Sequence, residues 1–129
     1  MNSRQLALHI QHACEEKKGI DPIILDIRTL TDIADYFVLV HGTSDRHVRT
    51  LADGIIESLE KRKVSPLHRE GMNEAKWVLL DYGAVMAHVF YYETRAFYHL
   101  ERLWGDAKIV KPKAKHAKSV KRTRRPKSA

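Results

Sequence analysis

Seven residues, His41-Gly42-Thr43-Ser44-Asp45-Arg46-His47, hold the densest set of groups suited to handling a phosphate. Glycine lets the backbone approach a ligand closely, the hydroxyls can donate, and a helix starting here would aim its free N–H groups at an anion. Nucleotidyl transfer at such a turn also needs paired carboxylates to hold magnesium, commonly as Asp-x-Asp on a nearby strand. No two acidic residues in the sequence lie two apart, and Asp81 stands alone on its segment. The stretch therefore reads first as a tight turn with a good helix cap. The eight histidines invite a metal. His9 and His12 are one helical turn apart on the solvent side, but Cys14 falls on another face and no third ligand is near. His41 and His47 flank the turn, His88 sits alone, and no His-x-x-x-His pair occurs. No metal and no cofactor is expected, and Cys14 reads as a small core residue rather than a nucleophile.

These groups must be positioned by elements whose apolar periodicity is legible. Residues 4 to about 17 predict a helix with Leu6, Ile10, Ala13 and Cys14 in one arc, ended by Gly19. Strands follow at Pro22–Ile27 and Asp35–Val40. The strongest helix comes next: Val48, Leu51, Ala52, Ile55, Ile56 and Leu59 recur every three or four residues, Thr43 or Ser44 is placed to cap it, and Asp45 suits its first turn. A weak strand passes through Ser65–Glu70, then come two arms of a hairpin, Trp77–Leu80 and Val85–Phe90, around Asp81-Tyr82-Gly83-Ala84. A last helix is expected from about Glu93 to Trp104, with Gly105 as its stop. Helix, two strands, helix, up to three strands and helix predict an α+β, two-layer fold, with three helices on a mixed sheet of about five strands.

The 129 residues suffice for one domain. One cysteine excludes an internal disulfide and a four-thiolate metal site. No apolar run approaches the roughly 18 residues needed to span a membrane, and the first residues do not form a secretory signal, so a cytoplasmic protein is expected. The formal charge of +7 is divided unevenly. Residues 108–129 hold ten Lys or Arg and no acid, which leaves residues 1–107 with thirteen basic and all sixteen acidic side chains, a net −3. The division predicts a folded domain over 1–107 and a disordered basic tail over 108–129. Lys111, Lys113, Lys115, Lys118, Lys121, Arg122, Arg124 and Arg125 are the groups that could contact RNA, although no Phe, Tyr or Trp lies among them to stack on bases.

The hairpin poses a question of its own. Successive side chains of a strand point to opposite faces, yet both arms are apolar in both directions, with His88 the one polar member of the second arm. Both faces need a cover, and a second molecule is a candidate for one of them.

Five blocks, Leu25–Ile55, Glu70-Gly71, Trp77–Gly83, His88–Phe90 and Arg95–Ala107, resemble the ribosomal silencing factor family, also called the Iojap family. The likeness runs from about residue 4 to 107. Ala84 departs from it, since the family commonly has an acidic or polar residue there. The resemblance implies a nucleotidyltransferase-like fold without catalytic carboxylates, and no enzyme activity. It implies a translational repressor that binds the large ribosomal subunit through its fourteenth protein and blocks joining of the small subunit, chiefly under nutrient limitation or in stationary phase. Matched onto the motif, the partner-binding residues are Trp77, Leu80, Asp81, Tyr82, Val85 and His88, with Glu70 and Tyr98 at the rim. Trp77 and Tyr82 would be the aromatic anchors, and Asp81 would fix register against a basic group. The free protein would be a monomer, or a homodimer that hides the same surface. The competing expectations are a nucleotidyltransferase, active or degenerate, and an RNA binder driven by its tail.

Overall fold

The computed structural model describes residues 1–98, 105 and 107–110. Helix α1 (Ser3–Glu16) starts two residues after the chain does, because Asn2 and Gln5 close a reciprocal capping box. It is followed by β1 (Ile20–Asp26), β2 (Tyr36–Gly42), α2 (Asp45–Glu60), β3 (His68–Glu70), β4 (Trp77–Asp81), β5 (Val85–Tyr91), α3 (Tyr92–Tyr98) and β6 (Lys108–Ile109). The six strands form one sheet in the order β3-β4-β5-β2-β1-β6. Only the central β2–β5 pair is parallel, so the sheet is mixed and the fold is α+β, as expected.

The sixth strand moves a boundary. Lys108 and Ile109 pair with Asp26 and Leu25, and Val110 donates its N–H to the Ile24 carbonyl and is buried in the core. The folded part therefore includes three residues that composition assigns to the tail. Two apolar β-branched side chains, too few for a periodic signal, suffice once β1 offers an unpaired edge. Residues 111–129, with the basic groups named above, lie outside the described residues, as do 99–104 of the expected last helix.

The end of α1 also differs from expectation. The left-handed residue is Lys18, at φ 62°, not the glycine after it. Gly19 is required for proximity instead: a Cβ there would stand 2.6 Å from Val40 Cγ2.

Side-chain alternation divides the sheet into two faces. On the first, Ile24, Val38, Val40, Val78, Leu80, Val85, Ala87 and Val89 pack under the stripes of α1 (Ala7, Ile10, Ala13, Cys14) and α2 (Val48, Leu51, Ala52, Ile55, Leu59). The burial of Cys14 pushes its thiol up to about 12, which leaves it inert, as a core residue should be. On the second face lie Leu25, Phe37, Leu39 and Phe90, with Trp77 and Met86 packed beside them. From α3, Arg95 reaches this side, donating to the carbonyl of Asp21 (2.9 Å) and to His41 Nδ1 (3.0 Å).

Candidate functional site

The His41–His47 turn is occupied by its own groups. Ser44 caps α2 by accepting the His47 N–H at 3.0 Å, and Thr43 N–H donates to His47 Nδ1 at 3.1 Å. The other ring nitrogen, Nε2, donates to the Lys17 carbonyl at 3.0 Å, tying the start of α2 to the end of α1. Among the described residues no group of three or more His, Cys, Asp or Glu side chains is placed to hold a metal. His12 instead faces Glu15 and Glu16 along α1, at 3.9 and 3.3 Å.

The hairpin is the more informative region. Its loop is the pair Gly83-Ala84, closed by Tyr82 N–H donating to Val85 O, with φ 86° at Gly83, where glycine costs least. Asp81 Oδ1 accepts the Gly83 N–H at 2.8 Å, so the carboxylate that departs from the apolar pattern shapes the turn. Ala84 contributes through its backbone: its carbonyl accepts both Asp35 and Tyr36 N–H groups.

At the other end of β4 a second glycine is indispensable. Gly71 sits at φ 85°, and a Cβ on it would lie 2.1 Å from the carbonyl oxygen of Trp77. The loop that begins there is held by Arg49, whose guanidinium donates to the carbonyls of Met72 and Asn73. A cleft of about 480 Å³ opens along it, lined by Arg69 to Glu74.

The register then settles which side chains share a face. Trp77 is opposite Phe90, Leu79 opposite His88 and Asp81 opposite Met86, while Glu70 and His68 on β3 stand opposite Leu79 and Asp81. Trp77, Leu79, Asp81 and Met86 are half-buried, and His68 and Glu70 are exposed, with His68 Nε2 2.6 Å from the Glu70 carboxylate. Val78 and Leu80, the alternate residues, have no exposed surface at all.

Four of the motif-matched residues thus need correction as surface groups. Leu80 and Val85 are fully enclosed beneath the helices, since Leu80 alternates with Trp77 along β4 and Val85 alternates with Phe90, the cross-strand partner of Trp77, along β5. Tyr82 is 8% exposed and also joins the helix-side core. Its burial, with the Glu60 charge nearby, pushes the phenol up to about 12, so it stays protonated, and its oxygen has no hydrogen-bond partner among the described residues. His88 is on the second face but 7% exposed, under Trp77 and between Phe37 and Phe90. Glu70, Trp77 and Asp81 are brought together on one accessible side. The Tyr98 side chain lies outside the described residues. Leu79 and Met86, which share this accessible side, were not among the residues matched by motif, whereas the stretch from His68 to Gly71 reads from the sequence as a candidate rim beside Trp77 and Asp81. The polarity of Asp81 could have found Leu79, because alternation puts residues 77, 79 and 81 on the side that keeps a carboxylate in water.

The whole chain, residues 1–129, matches the family model described as ribosomal silencing factor during starvation. It is 38% identical over 110 residues to the ribosomal silencing factor of Bacillus subtilis, covering 85% of this chain and 93% of that one. To the factor of the same name from Halalkalibacterium halodurans it is 34% identical over 110 residues, 85% of this chain and 94% of the other. Among solved structures, that of a protein from Chromobacterium violaceum superposes with a TM-score of 0.79 at 33% identity, over 88% of this chain and 92% of that chain.

Proposed function

Because the chain belongs to the ribosomal silencing factor family, we propose that it represses translation by binding the large ribosomal subunit through its fourteenth protein and sterically blocking the small subunit. No bond is made or broken in this reading, and repression acts chiefly when nutrients are short or in stationary phase. One observation carries it. Beside the central strands β2 and β5, which are largely buried, the Trp77–Leu79–Asp81 side of β4 stays half-exposed next to the exposed edge strand β3. Trp77 supplies an amphipathic anchor, Leu79 and Met86 widen the apolar patch, and Asp81 with Glu70 offers acceptors to a basic partner. Tyr98 is kept as a partner-binding residue on the motif match alone. A homodimer using the same patch would compete with the ribosome.

No helix among the described residues is long and apolar enough to cross a membrane, and the reading places the protein in the cytoplasm, where subunits join. The basic groups between Lys111 and Arg125 add salt-sensitive contact with ribosomal RNA. The missing Asp-x-Asp argues against nucleotidyl transfer despite the fold implied by the resemblance; magnesium-dependent turnover of a nucleoside triphosphate would reinstate it.

The test is subunit joining on a sucrose gradient with purified subunits. The protein is expected to travel with the large subunit and reduce joining. Trp77→Ala is expected to weaken this by about 30-fold, the effect of losing an anchor worth about 2 kcal/mol. A chain lacking residues 111–129 should still block joining, with a shallower salt dependence. Unchanged co-sedimentation of Trp77→Ala would remove the surface, and loss of all binding with the tail would make RNA contact the primary activity.

A further inference from the structure

His88 is a poor core residue by ordinary criteria. Its ring lies 4.7 Å from that of Phe37, edge to face, and stacks nearly parallel to Phe90 at 6.1 Å. Phenylalanine or leucine would fill the same space without burying a polar ring. The tautomer is fixed by geometry: Trp77 Nε1–H donates to His88 Nδ1 at 3.1 Å, so Nδ1 is unprotonated and the proton sits on Nε2. That Nε2–H is enclosed and has no partner among the described residues. One ring nitrogen is thus a liability, and the other makes one directed bond to the side chain above it.

The direction of that bond is informative. Trp77 stands opposite Phe90 in the register, and His88 lies two residues along the partner strand, at the diagonal position that only long side chains bridge. The tryptophan ring rests on Phe90 with centroids 5.2 Å apart, a contact that tolerates rotation about its broad χ2 torsion. Accepting the indole N–H selects one rotation of the ring. A hydrocarbon at position 88 could support Trp77 but could not select its rotation.

We infer that His88 is a positioning residue for the docking surface: it contacts no partner itself, but its Nδ1 holds the Trp77 indole in the orientation that a partner binds. The inference rests on the docking reading above. It also gives the motif-matched histidine a role compatible with its burial, since its effect on binding is transmitted by one hydrogen bond.

The test uses the full chain with ¹⁵N-labelled tryptophan. Two indole signals are expected, and Trp77→Phe identifies that of Trp77. His88→Asn places an amide oxygen near the position of Nδ1, whereas His88→Phe keeps a ring and removes the acceptor. In wild type and His88→Asn the Trp77 indole proton should exchange slowly, and in His88→Phe at least about tenfold faster. Co-sedimentation with purified large subunits should fall by about tenfold for His88→Phe, the worth of one hydrogen bond, and recover most of that in His88→Asn. In a Trp77→Phe background, His88→Phe should have no further effect. Equal weakening by both His88 variants, or undiminished binding by a folded His88→Phe in which the indole proton is freed, overturns the inference while leaving the docking surface intact. If His88→Phe does not fold, His88→Leu carries the same comparison. If Trp77→Ala binds as well as wild type, the docking surface itself fails and the positioning role falls with it.

Discussion

On one face of the sheet, Val38, Val40, Val78, Leu80 and Val89 are aliphatic, fully enclosed and covered by two helices whose stripes match them. On the other, Phe37, Trp77, His88 and Phe90 form an aromatic cluster that contains a polar ring, and its β4 margin is open to water. Both faces belong to the same strands and differ by one residue in parity. The helix side is closed by burial of aliphatic surface, which needs no directed bonds and scales with area. The second side uses fewer, larger and more polar groups, held in fixed orientations. On the docking reading proposed above, stability is concentrated on the first side and recognition on the second, and mutations on adjacent residues should separate the two.

Leu80 and Leu79 make the sharpest separation. Leu80→Ala empties a fully buried site and should cost about 3 kcal/mol, within the range for leucine truncation in cores. Leu79→Ala removes a half-exposed side chain and should cost under about 1 kcal/mol while weakening association with the large subunit. Urea denaturation gives the stabilities and co-sedimentation the binding. Equal destabilisation by both variants would mean that the second face is as closed as the first.

His88 provides a comparison in pH. Its burial lowers the imidazole from 6.5 to about 4. Between these values the unfolded chain takes up a proton that the folded chain refuses, so the contribution to stability is complete above about pH 6.5 and is lost as pH falls towards 4. Over that interval the loss approaches about 3 kcal/mol, since each tenfold change in proton affinity between the folded and unfolded chain is worth roughly 1.4 kcal/mol. The stability difference between wild type and His88→Phe, followed by urea denaturation from pH 7.5 to 4.5, should change by most of that amount in favour of the variant. His9, lowered by its own burial and by Arg62, titrates in both proteins and cancels. A pH-independent difference would mean that the aromatic cluster accommodates the proton and is not the rigid support that the Trp77 bond requires.

Much of this architecture was legible in the sequence because it is carried by repeated apolar positions. The α2 stripe from Val48 to Leu59 and the capping Ser44 are local signals, and the structure reproduces them. The hairpin arms were legible for the same reason, but not their facing. Apolar residues of both parities erase the alternation that assigns a strand face, so Leu80, Val85 and Tyr82 entered the candidate site by motif match although they point under the helices. Strand β6 was invisible, since it consists of two residues whose partner, β1, lies more than eighty positions away. The Trp77–His88 bond was equally hidden: only the register of β4 against β5 brings the two rings together.

Tyr82 gives the smallest expected effect and the most direct check on how the turn belongs to either face. Its ring is held in the helix-side core, while its hydroxyl is enclosed without a partner among the described residues. Burying a hydroxyl without a hydrogen bond is unfavourable, so Tyr82→Phe should leave stability unchanged or raise it by up to about 1 kcal/mol. If the turn keeps this conformation on the ribosome, the hydroxyl never meets the partner, and binding should change by less than about twofold, the scale of a side chain outside the contact. A loss of about tenfold at undiminished stability would have a different physical meaning, because only a newly formed hydrogen bond accounts for it. The turn from Asp81 to Val85 would then open when the partner docks, and the unsatisfied hydroxyl would be the group that favours opening, since it gains in the complex the bond that the free fold denies it. Parallel urea denaturation and co-sedimentation of the single variant distinguish these outcomes, and they decide whether the division between the two faces holds at the hairpin turn.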